Sequence, residues 1–178
     1  MQKERTRLLL VSALFVALIA TGAFIRVPVP YVPFTLQLFF TTLAGLYLGP
    51  KRGAAAVAAY VILGLIGVPV FTQGGGPAYV LQPTFGYLIG FILGAYLVGV
   101  LAKGKKTFKG NAFATLAGLV PVYGLGVIYL YGISHFYLGE AMALWPLLLH
   151  GIFLCMPGDV ALCLVAAQMM VILHKRGR

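Results

Sequence analysis

Thr84-Phe85-Gly86-Tyr87-Leu88-Ile89-Gly90-Phe91-Ile92-Leu93-Gly94-Ala95-Tyr96-Leu97-Val98-Gly99-Val100-Leu101-Ala102 is the stretch on which the fold turns. It carries no charge, and about 20 apolar residues are what a helix needs to cross a bilayer. Gly86, Gly90 and Gly94 recur at four-residue spacing, so they share one helical face and let a neighbouring backbone approach closely. Five further runs resemble it, over residues 8–25, 35–49, 53–67, 112–133 and 145–173. The second and third of the six are short, and Gly49-Pro50-Lys51-Arg52-Gly53 marks a turn between them.

Composition agrees. Of 178 residues, 61% are hydrophobic and 9% charged, against about 25% charged in a soluble domain. A chain this apolar cannot cover its own surface in water. The expectation is one all-α domain over residues 1–178, a multi-pass protein of the cell membrane. Disorder, nucleic-acid binding and a disulfide-stapled secreted fold are excluded. Cys155 and Cys163, eight residues apart on one helix, are about 12 Å apart along its axis, too far to bridge. The apolar stretch from Leu8 to Ile25 exceeds the usual signal-peptide core of about 7–15 residues and reads as a retained first span.

The net charge of +10 sits in short flanking clusters. With six spans and a cytoplasmic N-terminus, all 13 Lys and Arg except Arg26 fall on the inner side. Both termini are therefore expected in the cytoplasm. The outer connections, Val27 to Phe34 with its three prolines and Gly67 to Tyr79 with its glycine run, are apolar and aromatic. Such loops belong against protein, folded back over the outer half of the bundle.

Asp159, in Met156-Pro157-Gly158-Asp159, is a carboxylate inside an apolar run, and such a residue usually faces a cavity or a partner. Counting back from Leu173 places it about 21 Å from the inner interface, at the depth the loops reach. Pro157 is expected to kink the span, and capping that kink is the structural alternative for Asp159. His150, nine residues earlier, points to the opposite helical face, which disfavours a catalytic dyad. Cys155, Asp159 and Cys163 share a face but cannot all reach one ion, so no metal and no cofactor is expected. Gly99-xxxx-Gly104-Lys105-Lys106 falls short of a phosphate-binding loop, because Lys106 stands where Ser or Thr would hold magnesium and no strand precedes it. Polar and aromatic residues of the outer half, Thr35, Gln37, Phe71, Thr72, Gln73, Tyr79, Gln82, Thr84, Tyr87, Tyr123 and Trp145, together with Asp159 describe a small-molecule pocket. Ala13 and Ala17 form a small-residue strip, either for internal packing or for docking another membrane protein.

Several motifs in order resemble the BioY family of biotin transporters, the substrate-binding S components of energy-coupling factor transporters. They are Pro33-Phe34-Thr35-Leu36-Gln37, Leu48-Gly49-Pro50-Lys51-Arg52-Gly53, Gly67-Val68-Pro69-Val70-Phe71, Pro83 to Phe91, and Pro157-Gly158-Asp159. The resemblance implies a six-helix S component with a biotin pocket near the outer face and Asp159 in it. It implies that Ala13 and Ala17 meet a transmembrane coupling subunit of the EcfT type, with two ATPase subunits driving transport. Leu162 stands where the family usually has Lys, and Gln82 where it usually has Gly. With no outer-half lysine, a biotin carboxylate is expected to point outward, toward Arg26, the amides of Gly74, Gly75 and Gly76, or water. Alternatively, Arg26 snorkels to lipid phosphate. Two rivals stand beside biotin: an S component for another small carboxylated or heterocyclic nutrient, and an intramembrane enzyme using Asp159 and His150.

Overall fold

The computed structural model describes residues 2–27, 32–139 and 143–176. Pro28 to Tyr31 of the proline-rich segment, and Arg178 of the last basic cluster, lie outside these residues. The chain runs α1 (Gln2–Phe24), β1 (Arg26–Val27), β2 (Phe34–Thr35), α2 (Gln37–Leu48), α3 (Pro50–Leu65), a 3-10 turn (Pro77–Leu81), α4 (Phe85–Ala102) and α5 (Phe108–Phe136). α6 (Leu144–Leu148), a π-helical turn (Leu149–Phe153) and α7 (Met156–Arg176) complete it.

Among the described residues, four stretches are long and apolar enough to cross a membrane: α1, α4, α5 and the 32-residue stretch Trp145–Arg176. α2 and α3, of 12 and 16 residues, are shorter, as their apolar runs predict. Gly49 joins them at φ 78, a left-handed conformation that glycine adopts without a Cβ clash. α5 begins four residues before its apolar run. Thr107 caps it by accepting from the Gly110 amide at 3.2 Å, so Lys109 belongs to the helix despite its charge.

The last span departs from expectation. The helix is not regular throughout: a π-helical turn separates α6 from α7, upstream of Pro157. Pro157 is the second residue of α7, where its missing N–H costs nothing. Asp159 follows in the first turn, its amide donating to the Cys155 carbonyl at 3.0 Å.

α4 and α5 make the most extensive helix pair. A methyl added at Gly90 would lie 2.6 Å from Val122 Cα, and Gly86 and Gly94 meet α5 as closely, so the glycine face is the α4–α5 seam. Two apolar clusters fill the bundle. One gathers Phe15 of α1, Leu46 of α2, Ala56 of α3, Val98 of α4 and Met170 of α7 at the end carrying the basic turns. The other, around Ile19, Tyr60, Phe71, Tyr87 and Tyr123, lies toward the opposite end and surrounds the cavity described next.

Candidate functional site: a small-molecule cavity

Both loops contribute to the cavity. β1 and β2 pair antiparallel, Arg26 with Thr35 and Val27 with Phe34, which turns Val32, Pro33, Phe34 and Thr35 over the ends of the helices as wall residues. The glycine-rich loop supplies Phe71, Thr72 and Tyr79. Phe71 is seated on Gly64, where a methyl would lie 2.0 Å from its ring. The Phe71 and Tyr79 rings lie 4.4 Å apart, making an aromatic side wall.

The polar wall has two ends. At one, Gln37 Nε2 donates to the Tyr60 hydroxyl at 2.7 Å, and that hydroxyl donates to the Val70 carbonyl at 3.0 Å. Thr35 Oγ1 donates to Gln37 Oε1 at 3.3 Å, so the amide is held in one orientation. At the other, the Tyr123 hydroxyl donates to Asp159 Oδ2 at 2.5 Å. Asp159 is 8% exposed, and one donor leaves most of a carboxylate's lone pairs to accept from something else. Tyr87 donates to the Gly151 carbonyl at 2.8 Å, which fixes the π-helical turn against α4. Thr84 Oγ1 also faces the cavity and is buried with no hydrogen-bond partner among the described residues.

Of the expected site residues, Thr35, Gln37, Phe71, Tyr79, Tyr87 and Asp159 line this one cavity. Gly74, Gly75, Gln82, Trp145 and Arg26 do not. The Gly74 amide pairs with the Phe71 carbonyl at 3.2 Å and the Gly76 amide with the Gly64 carbonyl at 2.7 Å, so these two donors are already engaged. Gly75 packs on the Val68 carbonyl. Gln82 ends the 3-10 turn, and Trp145 is 66% exposed on the bundle's outside. Arg26 is exposed, with its guanidinium donating to the Thr72 carbonyl at 2.5 Å. It therefore braces the rim through a cavity residue. Leu162 is half-buried on α7 away from the wall.

Sequence reasoning missed the apolar wall: Val32, Phe34, Leu88, Phe91, Val122 and Cys155. Thr72, Thr84 and Tyr123, which the sequence places among the polar and aromatic residues of the pocket, line it too. His150 Nδ1 lies 2.8 Å from the Pro146 carbonyl, and its side chain is not part of the cavity wall. Among the described residues no three His, Cys, Asp or Glu side chains gather as metal ligands.

The family model that matches describes the BioY family and spans residues 1–178. The chain belongs to the BioY family. It is 41% identical over 177 residues to a probable biotin transporter BioY of Lysinibacillus sphaericus, covering 98% of this chain and 90% of that one. It is 50% identical over 125 residues to the biotin transporter BioY of Thermotoga maritima, covering 70% of this chain and 74% of that one. A crystal structure of the S-component for biotin from an ECF-type ABC transporter superposes with a TM-score of 0.86 at 30% identity, covering 98% of this chain and 94% of that one. The helical architecture is thus that of an S component, a membrane protein that binds substrate rather than an enzyme.

Proposed function

We propose that this BioY protein is the substrate-binding membrane subunit for biotin uptake and that the cavity is its biotin site. The observation that carries the site assignment is Asp159, a buried carboxylate and, among the described residues, the one acidic or basic side chain in the wall. The ureido group of biotin offers two N–H donors and one carbonyl acceptor. Asp159 accepts from the N–H groups, and the unpartnered Thr84 hydroxyl donates to the carbonyl. Phe34, Phe71, Tyr79 and Phe91 enclose the sulfur ring and the alkyl tail. The cavity holds about 60 Å³, below the roughly 300 Å³ at which ligand pockets begin, so the wall must yield as biotin enters.

The tail carboxylate leaves toward the rim, where Arg26 is held by Thr72. Both termini lie in the cytoplasm and the rim faces outward across the cell membrane, because the basic turns gather at the other end. Ala13 and Ala17 are exposed on α1 and receive a transmembrane coupling subunit, whose two ATPase partners energise transport.

Purification in detergent followed by mass spectrometry of the co-purified ligand tests the central reading. Recovery of biotin supports it; recovery of a different heterocycle with no biotin displacement overturns it. Uptake of radiolabelled biotin with and without coupling subunits tests the assembly.

A further inference from the structure

A second cavity opens at the basic end of the bundle, between the α2–α3 turn, the α4–α5 loop and the end of α7. It holds about 640 Å³, well inside the range of ligand pockets. Lys51, Arg52, Lys103, Lys105 and Lys106 line it, and among the described residues no acidic side chain does. Orienting a membrane protein requires only that basic residues lie on one side. It requires neither a concave arrangement nor a buried polar group at its base.

This cavity has both. Asn111, in the second turn of α5, lines it and is 1% exposed. Its Nδ2 and Oδ1 atoms are buried without a hydrogen-bond partner among the described residues. Buried polar side chains are nearly always paired, so an unpaired carboxamide in the wall of a cationic cavity points to a ligand. The start of α3 enters the same space; Pro50 has no N–H and the Gly53 amide donates to the Gly49 carbonyl, which leaves the first-turn amides of Lys51 and Arg52 without an acceptor in the helix. Gly104, at φ 75, turns the chain sharply between Lys103 and Lys105, which sets the α4–α5 loop around the cavity. The Gly99 to Lys106 stretch lacks the frame of a nucleotide-hydrolysing loop, yet its residues meet here.

We propose that this cavity binds a phosphate-bearing anion, with Asn111 Nδ2 donating to a phosphate oxygen and the lysines and Arg52 neutralising its charge. Inorganic phosphate or a phosphomonoester carries up to two charges on three or more free oxygens and so meets several of these cations at once. A phosphodiester headgroup carries one charge on two free oxygens, and the membrane presents it at high local concentration at the depth where a bundle ends. The same chemistry is available from a lipid headgroup or from free phosphate.

The test uses the full-length protein in detergent with equimolar phosphatidylglycerol and phosphatidylcholine, read by native mass spectrometry and by thermal midpoint. Wild type is expected to retain phosphatidylglycerol about fivefold over phosphatidylcholine, and Lys103→Gln with Lys106→Gln to weaken its retention about tenfold or more. The control pair Lys109→Gln with Lys175→Gln, outside the cavity, keeps the preference. Asn111→Leu raises the midpoint of the lipid-free protein, because an unpaired polar group is removed, and abolishes the rise caused by phosphatidylglycerol. Inorganic phosphate at millimolar concentration either competes, which makes free phosphate a ligand, or fails to compete, which makes the headgroup the ligand. A biotin titration of each variant verifies folding and keeps this result separate from the reading of the outer cavity. No preference in wild type, a preference retained by the cavity variants, or one lost equally in the control overturns the proposal. So does loss of coupled uptake in the cavity variants with lipid retention unchanged, since the cations would then serve the coupling complex.

Discussion

Tyr123 of α5 and Asp159 of α7 are joined inside the cavity wall by a 2.5 Å hydrogen bond from phenol to carboxylate. The bond ties the half of the last span that carries the acid to the helix on the α4–α5 seam. It also fixes which carboxylate oxygen is engaged and leaves the other free to meet a ligand. Asp159→Ala is expected to weaken biotin binding about tenfold or more, because a hydrogen bond to a charged group is worth about 1.5–3 kcal/mol. Tyr123→Phe is expected to cost less, since the carboxylate remains. Calorimetric titration in detergent measures both. Unchanged affinity in a folded Asp159→Ala protein returns Asp159 to a purely structural role.

Gly64 is a test of the aromatic wall. A methyl there would lie 2.0 Å from the Phe71 ring, so Gly64→Ala pushes the ring off its seat. Overpacking of this kind costs about 1–3 kcal/mol. The variant is expected to melt several degrees lower and to bind biotin less tightly. Adding Phe71→Leu makes room for the methyl and is expected to restore much of the melting temperature without restoring affinity. A Gly64→Ala protein that matches wild type in both measurements contradicts the assignment of Phe71 to the site.

The Arg26 guanidinium meets the site through the Thr72 carbonyl and is not itself part of the wall, so its side-chain contribution can be tested separately. Binding of biotin and of biotin amide is compared on wild type and Arg26→Gln. The expected outcome is that wild type prefers the acid and the variant loses that preference while still binding both. An unaltered preference assigns the carboxylate to water.

Ala13 and Ala17 form an exposed strip on α1. Ala13→Trp and Ala17→Trp are expected to abolish energised biotin uptake while leaving equilibrium binding within about twofold, because a tryptophan cannot enter a close helix contact. Survival of uptake in both variants rules the strip out as the coupling surface.

The spans and the acid were legible because each violates an ordinary expectation: runs of uncharged residues in one case, a charge inside such a run in the other. The α4–α5 seam was legible because glycines at four-residue spacing have few other uses in a membrane helix. The apolar wall was not. Phe34, Phe91 and Val122 look, residue by residue, like any side chain that faces lipid or core, and only the packing separates the three. The glycine run misled for a related reason. Free amides are assumed when a loop is read alone, whereas Gly74 and Gly76 spend theirs on Phe71 and Gly64. The π-helical turn before α7 was obscured because Pro157 fits both a kink and a helix start, and the difference lies in how Tyr87 holds the Gly151 carbonyl.

α1 packs against α2 and α3, yet among the described residues it lends no side chain to the outer cavity. Ala13 and Ala17 are exposed and do not line the cavity, so changes at these two positions are expected to add to changes in the wall. Over evolutionary time the two surfaces are free to drift on separate clocks. A lineage that alters what it docks against need not relearn what it carries, and one that alters its cargo can keep its old machinery.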